Sequence, residues 1–157
     1  NTDKFLNILS KFKRLEFSIS VDGWGSVNDL IRFPTKHDVW LKNTQELVDL
    51  NCNDLFFNIT VQAMNLPNID KLVTKLQENW NGKYEIHKLW GPNYLSVNCL
   101  KPKVVEKVLR DTKVVELNSF YKDYEFDIQL NERMQSFLLD LDAKRGTDSR
   151  KIIPWCF

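Results

Sequence analysis

The sequence is poor in the features that define several common protein classes. Its 157 residues include only three cysteines, two histidines, five glycines and five prolines, and 22 basic residues balance 21 acidic ones. This balance gives no sequence-wide attraction for nucleic acid or for an anionic membrane. No apolar run approaches the roughly 20 residues of a membrane-spanning helix, and no basic-then-apolar leader opens the sequence. We therefore expect a soluble, cytoplasmic protein with no membrane association and no specific nucleic-acid partner.

The cysteines also exclude two kinds of site. Cys52, Cys99 and Cys156 lie far apart and form no C-x-x-C or C-x-x-H pair. An odd number with this spacing fits neither a disulfide framework nor a zinc site. We interpret them as structural thiols in a reducing compartment. The chain opens on Asn1, and Thr2 resembles a helix cap; this opening suggests a chain cut at its N-terminal side.

Helix and strand patterns alternate along the chain. Apolar residues at helical spacing predict helices over 3–12, 35–50, 67–80, from Pro102 onwards and over about 134–146, where Gly146 ends the last one. Thr35 and Asp38 form a capping-box pattern at the start of the second helix. Alternating apolar residues predict strands over 14–21, 55–62, 84–90 and 94–100. The second strand is dense enough in apolar residues to be covered on both faces, and residues 118–127 show no clear pattern.

This alternation is typical of successive βαβ units, which build parallel sheets. We predict an α/β fold with a mainly parallel sheet and helices on its outside. One domain is expected to span residues 1–157, with βα units over 1–113 and a C-terminal extension with a helix over 114–157. Ligands of such sheets bind where the strands end. We therefore expect a site after Val21, after Gln62 and around 90–93.

Polar side chains line one side of two of the predicted strands, with Ser18, Ser20 and Asp22 on the first and Asn58, Thr60 and Gln62 on the next. A polar row that points the same way on both strands favours a lined cavity. An amphipathic face open to water fits the same pattern equally well. Both interpretations stay open at the level of sequence.

Other candidate motifs are weak. The loop of Gly23, Trp24 and Gly25 follows a strand, but Asn28 stands where a dinucleotide-binding loop needs its third glycine. The lack of a glycine-rich first strand also argues against an S-adenosylmethionine-dependent methyltransferase. Neither histidine has a partner at a helical metal-ligand spacing, and Glu85 with His87 is more typical of a surface pair. No catalytic residue or metal site is predicted from these motifs.

One run of residues resembles a known family. Residues 17–23, F-S-I-S-V-D-G, resemble the fourth-strand motif of radical S-adenosylmethionine enzymes. The resemblance continues through residues 28–34, which end R-F-P, and through Asn43 and Leu47. It also includes residues 58–62 together with Asn65, which are similar to the fifth strand and its exit. Residues 92–97 and 141–148 resemble a subgroup, the twitch-domain radical proteins of bacteria and their phages.

The resemblance implies a partial (β/α)6 barrel, similar to a TIM barrel. Such a barrel holds a [4Fe-4S] cluster and S-adenosylmethionine, which the reduced cluster cleaves to a 5′-deoxyadenosyl radical. The family holds its cluster with C-x-x-x-C-x-x-C, a motif that this sequence lacks. In the family's order, the chain starts at the helix after the third strand. The cluster loop would then lie in an N-terminal half-barrel of the same parent protein, which would be the partner of this chain.

The resemblance also assigns candidate cofactor-binding residues: Ser20, Asp22, Arg32, Asn58 and Thr60. Ser20 and Asp22 match positions near the ribose and methionine parts of S-adenosylmethionine, and Asn58 or Thr60 matches a fifth-strand polar position. Arg32 lies near the position of an arginine that binds a carboxylate of the cofactor or of the substrate, to which its guanidinium suits a bidentate pair.

We expect the parent to be catalytic and this chain alone to be inactive, without a stably bound cofactor. The sequence does not specify the substrate. The alternative is a non-catalytic α/β binding or scaffold domain derived from that fold. It predicts a closed hydrophobic surface where the missing strands would pair, whereas a shortened barrel predicts an exposed sheet edge.

Overall fold

The structure is a computed structural model that describes residues 2–50 and 54–157. A three-stranded sheet lies at its centre, formed by β1 (Glu16–Ser20), β2 (Asp54–Val61) and β3 (Lys83–Lys88). Their order is β1-β2-β3, and both neighbouring pairs are parallel. The predicted α/β class and parallel sheet are therefore confirmed.

Helices connect and follow the strands. Their bounds are α1 (Thr2–Leu9), α2 (Ser26–Ile31), α3 (His37–Val48), α4 (Ile69–Trp80), α5 (Pro102–Asp111), α6 (Val115–Phe120), α7 (Ile128–Arg145) and α8 (Ser149–Ile152). Short 3₁₀ turns cover Leu66–Asn68, Asn93–Leu95, Val97–Cys99 and Pro154–Cys156. Gly146 caps α7 with a positive φ of 65°, which a glycine adopts without strain.

The two faces of the sheet differ in burial. Phe57, Ile59 and Val61 of β2 point to one face and are each 0% exposed, within a core that includes Leu72 of α4 and Leu138 of α7. The opposite face, here called the open face, is half-buried or exposed and consists of Ser18, Ser20, Phe56, Asn58, Thr60, Lys83, Glu85 and His87. The expectation that helices cover both faces of β2 is therefore wrong, because its polar side chains stay accessible to water.

Several predicted elements differ from the structure. The strand expected over 94–100 is absent: its backbone forms two 3₁₀ turns, in which the N–H of Ser96 donates to Asn93 (3.0 Å) and that of Leu100 to Val97 (2.9 Å). Local hydrogen bonds therefore replace pairing with a strand. The Thr35 capping box is also wrong, since α3 begins at His37 after Lys36, and its first N–H, that of His37, donates to Oδ1 of Asp29 (2.5 Å) instead of to Thr35. Residues 26–31 and 115–120 form helices that the patterns did not indicate.

An aromatic cluster lies between β2, α3 and α4. The ring of Trp40 lies 6.1 Å from that of Phe57 and 5.7 Å from that of Trp80, and the rings of Phe57 and Trp80 are 5.6 Å apart. On the other side of Trp40, His37 stacks on the indole with 5.6 Å between the ring centres, and Trp24 meets His37 edge-on at 4.6 Å. This cluster fixes α3 and the loop after β1 against the covered face of the sheet.

His37 is buried in this cluster without polar partners for its ring. Neither Nδ1 nor Nε2 accepts or donates a hydrogen bond among the residues that the structure describes. Burial lowers the pKa of His37 from 6.5, and this effect exceeds the opposing attraction of Asp29 and Asp38. The folded protein therefore holds His37 as a neutral imidazole down to a lower pH than the unfolded chain does.

The stability of the protein should consequently fall as the solution is acidified. Below about pH 6.5 the unfolded chain takes up a proton that folded His37 resists, so the contribution of His37 is full above that pH and is lost below it. The variant His37→Phe should remove this part of the pH dependence. Urea unfolding at about pH 7.5 and about pH 5.5 measures it. His87→Gln, at an exposed position, is the matched control; an unchanged pH dependence in His37→Phe would contradict the prediction.

Candidate functional site

Asp22 joins the C-terminal ends of β1 and β2. Its carboxylate is buried and accepts two hydrogen bonds, one at Oδ1 from the backbone N–H of Thr60 (2.9 Å) and one at Oδ2 from Nε of Arg32 (2.9 Å). The side chain of Arg32 is 34% exposed, whereas that of Asp22 is 8% exposed. Asp22 therefore ties the end of α2 to the sheet through a charge-assisted hydrogen bond.

Asn65 completes this arrangement from the turn after β2. Its side chain is 0% exposed, and Nδ2 donates to the carbonyl oxygens of Asp22 (2.7 Å) and Thr60 (2.8 Å). Its Oδ1 accepts from the N–H of Gln62 (2.8 Å). Asp22, Arg32, Thr60, Gln62 and Asn65 are together called the Asp22 network below. The network satisfies backbone groups at both strand ends, which would otherwise be buried without partners.

Two further asparagines hold the loop between β1 and α2. Oδ1 of Asn28 accepts from the N–H of Asp22 (3.1 Å), and Oδ1 of Asn68 accepts from the N–H of Trp24 (2.6 Å). The loop also requires its glycines: Gly25 has a φ of 71°, and a Cβ on Gly23 would lie 2.7 Å from Cγ1 of Val27. These glycines are therefore explained by the turn into α2, without a bound phosphate.

The open face carries polar groups in two rows across the sheet. Ser20 lies opposite Asn58, which lies opposite Glu85, and Thr60 lies opposite His87 in the neighbouring row. Nδ2 of Asn58 donates to Oγ of Ser18. Nε2 of His87 is 3.8 Å from Oε2 of Glu85, and both side chains are more than half exposed. The sequence allowed two interpretations of these polar residues, the lining of a cavity or a face exposed to water. In this chain they form a face that is accessible to water.

The five predicted site residues therefore divide into two groups. Asp22, Arg32 and the backbone N–H of Thr60 meet in the Asp22 network, whereas the side chain of Thr60 lies on the open face. Ser20 and Asn58 lie side by side on the open face. The third segment expected at the site, around residues 90–93, makes no hydrogen bond to the Asp22 network, and Trp90 is 98% exposed.

The sequence interpretation missed the roles of Asn28 and Asn68. Both are buried polar residues that bond to the loop after β1. Their signal in the sequence is weak: one asparagine in the segment after β1 and two in the segment after β2, a residue type that favours turns by bonding to nearby backbone.

The cysteines in the described ranges do not fit an iron–sulfur cluster. Cys99 and Cys156 are buried and free, and their thiols lie near carbonyl oxygens, at 3.4 Å from Asn93 and 3.6 Å from Ala63 respectively. Burial raises the pKa of each thiol, which disfavours the thiolate that binds iron. Cys52 lies outside the described residues. Within residues 2–50 and 54–157 no His, Cys, Asp and Glu side chains group into a metal site.

Ser20 and Asn58 fit the polar parts of S-adenosylmethionine better than Asp22 does. A hydroxyl and a carboxamide on an accessible sheet face can bond to ribose hydroxyls or to a carboxylate. Asp22 is less suited because its side chain is only 8% exposed and each of its oxygens already accepts one hydrogen bond. In the described ranges, no helix combines the length and the apolar character needed to cross a membrane.

The fold and site together define an α/β chain with a parallel sheet, one polar open face and a buried carboxylate at the strand ends. No family model, curated protein or solved structure matches the chain.

Proposed function

We propose that this chain is the C-terminal portion of a radical S-adenosylmethionine enzyme, with the open face as part of the inner wall of a partial (β/α)6 barrel. The open face is the observation that carries this proposal. Parallel sheets are normally covered on both faces by helices. A polar, uncovered face on a parallel sheet is what we expect if this sheet forms part of a barrel wall whose other strands come from the N-terminal half of the parent.

The edge of the sheet supports the same proposal. Within the described ranges β1 pairs only with β2, so its other edge is free to pair with a further strand. In the segment that precedes β1 in the sequence, the side chains of Phe5, Ile8 and Phe12 are each about half exposed or more. A scaffold domain that had closed its surface would bury such groups. This favours an N-terminal half-barrel of the same parent as the partner over the alternative of a self-contained binding domain.

In this proposal the residues of this chain bind and position the cofactor. Ser20, Asn58 and Thr60 contact the cofactor from the open face, while Asp22 and Arg32 fix the two strand ends. The cluster belongs to the N-terminal half, and reductive cleavage of S-adenosylmethionine is proposed for the parent protein only. The chemistry there would come from the cofactors, and the protein would supply orientation.

S-adenosylmethionine should bind this chain weakly and at a defined place. With only half of a pocket present, an affinity of about 1 mM is expected. In a ¹⁵N-labelled sample, titration with S-adenosylmethionine should produce saturable shifts of the backbone amides of Ser20, Asn58 and Thr60. Asn58→Ala should weaken the binding about fivefold, since it removes one hydrogen-bonding side chain.

The matched control is Asn118→Ala, which removes an exposed asparagine from α6. It should leave the titration unchanged. Shifts that do not saturate, or that are confined to residues away from the open face, would overturn the cofactor assignment. A stable [4Fe-4S] spectrum after anaerobic reconstitution of the chain with iron and sulfide would overturn the assignment of the cluster to another part of the parent.

A further inference from the structure

A groove lies between α4 and α5 and contains none of the residues of the open face or of the Asp22 network. Its volume is about 710 Å³, and its floor is apolar, formed by Pro67, Val104, Val108 and Trp155. The Trp155 indole is held in place because its Nε1 donates to the carbonyl oxygen of Ala63 (3.1 Å). A volume of this size and an apolar floor are typical of a binding site.

Lysines form both walls of the groove. Lys71 and Lys75 come from α4, and Lys103 and Lys107 come from α5. In each pair the residues are four positions apart on a helix, so their side chains leave the same face about 6 Å apart. Lys113 adds a fifth ammonium group after the end of α5. The groove, called the lysine groove below, thus presents regularly spaced positive charge on both sides of an apolar strip.

Positive charge exceeds negative charge in the lysine groove, because five lysines line it with only two carboxylates, Asp70 and Asp111. Asp70 accepts the backbone N–H of Lys113 (2.9 Å), and Asp111 pairs with Arg110 (2.9 Å). Lys75 pairs with Glu78 (2.6 Å).

Three further lysines of the walls, Lys71, Lys103 and Lys107, form no ion pair within the part of the chain that the structure describes. Because the whole chain carries a formal charge of only +1, this concentration of positive charge is local. It would attract an acidic partner and steer its approach.

We propose that the lysine groove docks an acidic amphipathic helix of a partner protein. Such a helix places its apolar stripe on Val104 and Val108, between the two walls. Glutamates or aspartates at i, i+4 spacing on its flanks then meet the lysines at the matching spacing of Lys71 with Lys75 and of Lys103 with Lys107.

The distribution of charge separates this occupant from a small anion. A phosphate or carboxylate head group contacts two or three lysines at one place. The lysine groove instead spreads its ammonium groups over both walls. The lining residues of α5, from Lys103 to Asp111, extend over about 12 Å at 1.5 Å per residue, which is roughly two helical turns. A ligand with acidic groups along its length can contact the ammonium groups of both walls at the same time.

Binding of a synthetic helix tests the proposal. The probe is a fluorescein-labelled, end-blocked peptide of about 15 residues with leucines at i, i+3, i+4 and i+7 and glutamates on both flanks. Fluorescence anisotropy with the full chain should show saturable binding, and raising the salt concentration from about 50 to about 500 mM should weaken it severalfold. A peptide with glutamine in place of every glutamate should bind at least about tenfold more weakly.

Charge reversal on both walls gives the second measurement. Lys71→Glu combined with Lys107→Glu should weaken binding of the glutamate peptide at least about tenfold and should improve binding of a peptide with lysines in place of the glutamates. Val108→Asp should also abolish most of the binding, because it places a charge on the apolar strip. Far-UV circular dichroism verifies that each variant is folded.

The matched control is Lys11→Glu combined with Lys13→Glu, two exposed lysines outside the groove lining. It should bind the glutamate peptide within about twofold of the unchanged chain. Equal binding of the glutamate and glutamine peptides would overturn the proposal. So would binding of unstructured polyglutamate as tight as that of the amphipathic peptide, because it would show attraction by charge without docking.

Discussion

Replacing Asp22 by alanine should lower the free energy of unfolding by about 3 kcal/mol, since breaking a buried pair from one side leaves its partner uncompensated. The variant Asp22→Ala leaves the N–H of Thr60 and the partly buried guanidinium of Arg32 without their acceptor. The estimate lies at the low end for a buried pair because Arg32 is one-third exposed and water can reach it. Urea unfolding followed by far-UV circular dichroism measures the change.

Two matched variants isolate the cause. Asp22→Asn keeps one oxygen for the Thr60 N–H but removes the charge that Arg32 contacts, so it should cost about 1–2 kcal/mol. Asp140→Ala removes an exposed carboxylate on α7 that lies 3.8 Å from Lys144, and it should change stability by less than about 0.5 kcal/mol. A loss below about 1 kcal/mol in Asp22→Ala would show that the Asp22 network does not stabilise the strand ends.

Phe57→Ala should destabilise the protein by about 4 kcal/mol, the larger of the two effects. Phe57 is 0% exposed on the covered face of β2, and its ring contacts those of Trp40 and Trp80. Truncation removes this contact area and leaves a cavity under α3 and α4 that the rigid sheet cannot close. Urea unfolding gives the energy, and tryptophan fluorescence reports the loss of packing around the two indoles.

Phe56→Ala is the matched control on the neighbouring position of the same strand. Phe56 lies on the open face and is only half-buried, so its truncation should cost about 1 kcal/mol. Equal losses for the two variants would contradict the assignment of the covered and open faces.

Gly82 gives an independent test of the packing around Phe57. A Cβ at this position would lie 2.4 Å from Cε2 of Phe57, closer than two carbon atoms can approach. Gly82→Ala alone should therefore cost about 1–3 kcal/mol through overpacking. Combined with Phe57→Ala, the same methyl enters space that the ring has left, so the double variant should lose clearly less than the sum of the single variants.

The sheet and most of the helices could be predicted because their signals are local. The alternation of Phe17 and Ile19 with serines marks β1, and the apolar stripe of α4 needs only its own residues. The segment at 94–100 shows the limit of such patterns. It alternates like a strand, but strand formation depends on a partner strand that lies elsewhere in the sequence. Asn93 and Ser96 instead favour turns that close within three residues.

The position of the Asp22 network in the fold could be predicted better than the roles of its residues. The rule that sites lie at the carboxyl ends of parallel strands indicated Asp22 and the exit of β2. The rule does not predict that the Asp22 carboxylate already accepts hydrogen bonds from two groups of the same chain, the Thr60 N–H and Arg32. Asp22 and Thr60 are 38 residues apart, and Asp22 and Asn65 are 43 apart. Hydrogen bonds between such distant residues leave no periodic signal in the sequence.

The side chains of Asp22 and Asn65 also set how the strand ends exchange amide protons with water. The N–H groups of Thr60 and Gln62 lie at the end of β2, where fraying normally allows fast exchange. Both donate to buried side-chain oxygens held by the loop after β1 and the turn after β2. Their exchange therefore requires these segments to separate together, and protection should reach nearly the level of the central residues of β2. The C-terminal ends of β1 and β2 are thus among the last parts of the sheet to open.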